Sequence, residues 1–255
     1  MPAVAAVVKS ALVTVALVLV ATLTASAQRR GGGFGRFSPG IPPQADYDGS
    51  FTFARLYYGD YPGWSYDFPE MEQNLTSVMN LITNMRSAKH SDIVRMDDPT
   101  LFRHPIAYIS EPGYWFPTDA EARTLREYLD KGGFLIIDDF HYDNEWAVFE
   151  SAMRKVMPDA KIVKLEREHP IFNTFFDIPT LHVPYPGALG QRGLYGEFYG
   201  IHRDNDPEKP LQVVIDYNMD IGDYMEWSGS GFYAVDPSNE AFKFMINYLI
   251  YGNTR

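Results

Sequence analysis

Gly132-Gly133-Phe134-Leu135-Ile136-Ile137-Asp138-Asp139-Phe140-His141-Tyr142-Asp143-Asn144-Glu145-Trp146 decides the fold class of this chain. Paired glycines stop a helix, and four consecutive apolar residues follow. A dense polar group (Asp138, Asp139, His141, Asp143 and Glu145) then stands where the next helix begins. A continuous apolar run between two helices is the pattern of a strand buried on both faces of a parallel sheet. Ligands of such sheets sit beyond the carboxyl ends of the strands. The stretch therefore gives an architecture and a place to look for chemistry.

Upstream of it, Thr118-Asp119-Ala120-Glu121 is a capping box. It opens a helix with the stripe Ala122, Leu125 and Leu129, and Gly132 follows as its C′ residue. Strands are expected over Phe51–Tyr58, Ile93–Met96 and Ile106–Ser110. A helix from about Pro69 carries Met71, Leu75, Val78, Ile82 and Met85. Downstream, Trp146, Phe149, Met153, Val156 and Met157 mark a helix that Pro158 ends. Lys161–Leu165 and Leu211–Asp216 read as strands. The last helix buries Phe242, Met245 and Leu249, with Asp236 as N-cap and Pro237 at its first position. Residues 172–210 fit no regular period and read as an elaborated loop with a short hairpin. Strands alternating with helices give parallel βαβ units, hence a three-layer, mostly parallel α/β domain.

The ends of the chain bound its class. Residues 1–27 have a basic Lys9, an apolar run Ala11–Leu23 and an Ala25-Ser26-Ala27 cleavage site, the anatomy of a secretory signal peptide. Residues 28–49, rich in Gly and Pro, form a linker expected to be disordered. The domain proper is residues 50–255. Export to the periplasm follows, with no stable membrane insertion once the leader is cleaved. The chain has no cysteine, so a thiolate nucleophile, a disulfide and a Cys-ligated metal are excluded. Its formal charge is −11, and −12 without Lys9, which argues against nucleic acid and anionic lipid as partners. No protein partner and no cofactor can be named from the sequence.

If the strands are parallel, their following loops share one rim. Residues 59–67, 111–117, 138–145, 166–170 and 216–227 would then converge there. Within them, Asp138, Asp139 and His141 are the catalytic candidates, because crowded carboxylates beside an imidazole can supply a general acid and base. Trp64, Glu111, Trp115, Asp220, Asp223, Glu226 and Trp227 are the ligand-binding candidates. Flat aromatic faces beside carboxylates suit sugar rings. No metal ligands are assigned, although clustered carboxylates and histidines could hold a divalent cation. Plainer roles stand alongside: Asp138 bonding loop amides, His169 bonding backbone at a turn, and the aromatics plugging the rim of the core. Asn218-x-Asp220-x-Gly222-Asp223-x-x-Glu226 departs from the EF-hand pattern. No G-x-S-x-G elbow, P-loop or strand-linked G-x-G-x-x-G occurs.

Four segments carry a family resemblance: Arg55-Leu56-Tyr57-Tyr58, Gly132–Asp139, His169-Pro170-Ile171-Phe172 and Asn218–Trp227. With them the run Phe51–Asn253 resembles DUF4159, a domain of unknown function found in exported or membrane-tethered bacterial proteins. That family is similar in fold to class I glutamine amidotransferases and to trehalose-utilisation (ThuA-like) proteins. The resemblance implies a flavodoxin-like sheet, with the turn after Ile137 standing where an amidotransferase carries its nucleophilic cysteine. Asp138 and Asp139 occupy that turn here, so amidotransferase activity is excluded. The expectation is an exported ligand-binding domain that holds a polar small molecule, in one form a carbohydrate, at an acidic and aromatic rim. A carboxylate- or metal-dependent hydrolase and an envelope-complex scaffold are the alternatives.

Overall fold

A computed structural model describes residues 48–255 except Asp60 and Lys89. The expected signal peptide and residues 28–47 of the expected linker lie outside the described residues. Among the described residues no helix is long and apolar enough to cross a membrane.

Seven strands form one sheet: β1 (Ala54–Tyr57), β2 (Asp92–Arg95), β3 (Ile106–Ser110), β4 (Phe134–Phe140), β5 (Val163–Lys164), β6 (Glu197–His202) and β7 (Leu211–Tyr217). Their order is β2-β1-β3-β4-β7-β6-β5. The pairs β1–β2, β1–β3, β3–β4 and β4–β7 are parallel, while β6 runs antiparallel to both β7 and β5. The five parallel strands thus have the flavodoxin-like order, and the order reverses between β1 and β3.

The helices are α1 (Glu70–Ile82), α2 (Asp119–Asp130), α3 (Tyr142–Val156), α4 (Gly187–Gln191), α5 (Ile221–Glu226) and α6 (Val235–Thr254). Side-chain alternation along the strands sorts them into two outer layers. Ile106, Tyr108, Phe134, Ile136 and Val214 face α1, α5 and α6 through Met71, Leu75, Ile221, Met225, Met245 and Leu249. Leu56, Ile109, Leu135, Ile137, Val213 and Ile215 face α2 and α3 through Leu125, Leu129, Phe149 and Met153. Buried on both sides, β4 needs its unbroken apolar run.

Local signals behave as their chemistry demands. Thr118 accepts from the Glu121 amide, and Glu121 accepts from the Thr118 amide at 2.7 Å, completing the capping box. Gly132 takes a φ of 101°, the left-handed turn that leads α2 into β4. Three expectations need correction. The first strand is shorter than read, with Phe51 making only an isolated bridge to Ser87. Helix α1 ends at Ile82, leaving Met85 beyond it. Helix α6 begins at Val235, with Ala234 at the cap and Asp236 inside the first turn.

Strand β4 carries one irregularity. Ile137 pairs with Ile215 and Phe140 with Tyr217, so β4 spends three steps where β7 spends two. The extra residue is taken up at Asp139, whose φ is 62°. Phe140 therefore returns to the layer that Ile137 occupies.

Candidate functional site

The carboxyl ends of β1, β3, β4 and β7 bring together the acidic loops expected at the rim, but the acids do different work. Asp138 is wholly buried. Its Oδ1 accepts from the Ile221 amide at 3.1 Å; its Oδ2 accepts from the Gly222 amide at 2.9 Å and the Tyr108 hydroxyl at 3.0 Å. This carboxylate ties β4 to the start of α5 and bonds amides as the plainer reading anticipated. Burial pushes its pKa up to about 7, against the three hydrogen bonds, which favour the charged form.

Beneath it lies a buried ion cluster. Arg55 donates to Asp67 at 2.8 and 3.0 Å, to the Trp64 carbonyl at 2.9 Å, and to Glu72. Its guanidinium stands 4.8 Å from the centre of the Tyr108 ring. The arginine is the anchor of the rim, committed to two carboxylates.

Asp139 is placed differently. A left-handed backbone lifts its side chain out of both layers, half-buried at the rim. The Ser110 hydroxyl donates to Oδ2 at 3.3 Å and the Tyr185 hydroxyl to Oδ1 at 3.1 Å. Next to it, at the end of β3, Glu111 is also left-handed (φ 55°), and Tyr58 donates to the carbonyls of Ser110 and Glu111 at 2.7 Å each. Two neighbouring strands thus end in non-glycine residues with positive φ, a costly conformation that clusters where function holds it in place. Burial, with Glu111, Asp138 and Asp67 adding charge repulsion, holds the Asp139 pKa well above the carboxylate range. Burial, then Glu145 and Asp67, pushes Glu111 up to about 8.

Asp220, after β7, accepts from the Asp223 amide at 2.7 Å as the N-cap of α5. Burial and the charges of Asp139 and Asp223 raise its pKa strongly. Asp223 accepts a short hydrogen bond from Tyr233. Burial, with Asp67 and Asp223, raises Glu226 to about 8. Glu111 repels Asp139, and Asp139 in turn repels Asp220, so the three follow one another along the rim. No group of three or more His, Asp or Glu among the described residues could hold a metal ion.

His141 lies at the start of α3, its amide donating to Glu145 at 2.7 Å and its Nδ1 3.5 Å from the same carboxylate. Its ring centre is 5.2 Å from that of Tyr185. Glu145 reaches this position because Gly113 has no side chain: a Cβ there would lie 2.6 Å from Glu145 Cβ and Cγ.

The aromatic candidates divide. Trp64 and Trp115 are 0% exposed and present no face to a ligand; they plug the core, and the stacking role read for them is withdrawn. Trp227 is partly exposed against Phe232. The open rings are instead Tyr66, Tyr114, Phe116 and Phe232. A second correction concerns residues 166–170. His169 accepts from the Ile171 amide at 3.2 Å and sits beside His202 and Tyr251. Tyr251 accepts from the Leu211 amide at the start of β7, so His169 lies at the opposite end of the strands from the rim. Tyr185 and Tyr233, both of which hold rim carboxyls, were absent from the candidates; they come from segments without periodicity.

The family profile described as Domain of unknown function (DUF4159) matches residues 52–252. No curated protein matches the chain.

Proposed function

The chain belongs to the DUF4159 family, and on that premise we propose that it is an exported ligand-binding domain whose acidic, aromatic rim holds a polar small molecule, specifically a carbohydrate. The observation that carries this reading is Asp139: a left-handed residue at the end of the central strand, fixed by the hydroxyls of Ser110 and Tyr185 beside Glu111. A carboxyl pushed up to about 8, as at Glu111, keeps its proton near neutral pH and so both donates and accepts hydrogen bonds, which suits sugar hydroxyls. Exposed Tyr114 and Phe232 supply the flat faces. The turn corresponds, in this reading, to the cysteine-bearing turn of a class I glutamine amidotransferase-like ancestor, and with no cysteine in the chain its remaining role is recognition. Residues 1–27 direct export to the periplasm.

Isothermal titration of the purified protein against a panel of neutral sugars and divalent cations tests the proposal. Saturable heat with a sugar, lost in Asp139→Asn, is expected; silence across the sugars overturns it. A second reading, a carboxylate-dependent glycoside hydrolase, is favoured by the adjacency of Asp139 and Glu111 at neighbouring strand ends, since a pair of carboxyls is what acid–base hydrolysis requires. It requires release of reducing ends from an oligosaccharide, abolished in Asp139→Asn.

A further inference from the structure

Two cavities open on either side of the Glu111–Asp139 pair. One, of about 490 Å³, lies at the ends of β1 and β2 and the start of α2, lined by Tyr57, Tyr61, Tyr114 and Phe116. The rings of Tyr61 and Tyr114 stack there at 4.0 Å. The other, of about 520 Å³, lies between the 184–191 segment, α5 and the start of α6, and is lined by Tyr185, Tyr224, Phe232 and Tyr233. Each cavity is joined to the carboxyl pair by a tyrosine of its own wall. Tyr58, at the floor of the first, donates to the Glu111 carbonyl, and Tyr185, in the second, donates to the Asp139 carboxyl. Asp220 and Asp223 continue the acidic row toward the second cavity, where Tyr233 holds Asp223.

We infer that the rim binds an extended oligosaccharide, several sugar units long, running across the strand ends from one aromatic cavity to the other with the carboxyl pair at its middle. This rests on the carbohydrate reading above and adds a length and a direction to it. The row crosses β1, β3, β4 and β7, three strand spacings or about 14 Å. With a cavity at each end the track exceeds a single ring severalfold. Each cavity alone has the volume of a small-molecule site. A neutral chain fits better than an anionic one, because the burial and crowding that disfavour the ionised form of these carboxyls disfavour any further negative charge between the cavities. An extended peptide fits less well: the rim offers strand ends rather than an open strand edge, so the backbone ladder that rewards peptides is missing.

The test is isothermal titration of the full-length protein with β-1,4- and α-1,4-linked glucose oligomers of one to six units. Affinity is expected to rise by about tenfold or more between one and four units and then level off, as the two aromatic faces become engaged. Tyr114→Ala and Phe232→Ala, both at exposed positions, should each remove much of that gain, so that the ratio of four-unit to one-unit affinity falls severalfold. Tyr114→Phe, which keeps the ring, should restore it. If glucose binds and longer oligomers bind no better, the extended track is wrong and the rim reading stands. A length-dependent gain that survives both alanine variants overturns the cavity assignment. If no saccharide of any length binds, both readings fall, and saturable binding of an uncharged hexapeptide instead would assign the rim to peptides.

Discussion

Glu111→Gln isolates the electrostatic cost of the rim. In the folded protein, burial and the charges of Glu145 and Asp67 push Glu111 from 4.5 up to about 8. The native state therefore keeps a proton that the unfolded chain releases. Below about pH 4.5 the group is protonated in both states, and its favourable contribution is fully present. As pH rises toward about 8 that contribution is lost, because ionisation is easier in the unfolded chain. At ~1.4 kcal/mol per pKa unit the full shift corresponds to about 5 kcal/mol. Part of that shift is repulsion from Glu145 and Asp67, and Glu111 keeps solvent contact at the rim, so the change assignable to it alone is roughly 2 kcal/mol. Glutamine is neutral throughout and removes this slope. In urea unfolding at pH 5, 7 and 9, the wild type and Glu111→Gln should match within about 1 kcal/mol at pH 5. At pH 9 the variant should be the more stable by about 2 kcal/mol, with unchanged m-values. Parallel stability–pH curves for the two proteins would refute the reasoning.

The other carboxyls make contrasting predictions. Asp138→Asn turns an amide NH₂ toward one of the two amides, Ile221 or Gly222, that now donate to its separate oxygens, and should cost about 2–3 kcal/mol in urea unfolding; a change under 0.5 kcal/mol would show that the tie between β4 and α5 is dispensable. Asp139→Asn keeps a residue that tolerates positive φ, so its thermal midpoint should stay within about 4 °C of wild type. Ligand binding at the rim should meanwhile drop, and a collapse of the midpoint would make Asp139 structural. Arg55→Met strands Asp67 and Glu72 in the core at a cost of about 3–5 kcal/mol at pH 7.5. Part of the loss should return at pH 5, where Glu72, raised by burial to about 7 even with Arg55 beside it, is protonated; a pH-independent loss would point to packing instead.

Much of the scaffold was legible because a buried strand and an amphipathic helix write themselves as periodic patterns. Phe134–Ile137 and the Thr118 capping box are such cases, and so are the acids that end the strands. Strand β6 was not legible. Glu197-Phe198-Tyr199-Gly200-Ile201-His202 mixes charge, glycine and aromatics because it runs antiparallel beside the two-residue β5, with a half-exposed face. Trp64 and Trp115 were misread for a related reason: an aromatic in a Pro/Gly loop gives no sign of whether its ring turns inward. Tyr185 is 46 residues from Asp139 in sequence, and only the folded chain brings them together. His169 follows a strand end, yet the loop carries it back to the amino ends of the strands, beside the start of β7.

The extra residue at Asp139 has a meaning for how this domain can change over time. Side-chain direction along a strand depends on counting, and β4 counts one residue more than its neighbour β7. Substitution at position 139 alters what the rim presents and leaves the count intact. A one-residue deletion there would restore even pairing and leave Phe140 opposite Tyr217, in the layer of Ile137 and against Phe149 and Trp146, while removing the carboxyl that the extra residue lifts to the rim. Packing of the two layers is indifferent to the extra residue, so the bulge serves the rim alone, and descendants of this fold can exchange or discard its chemistry without repacking Phe140.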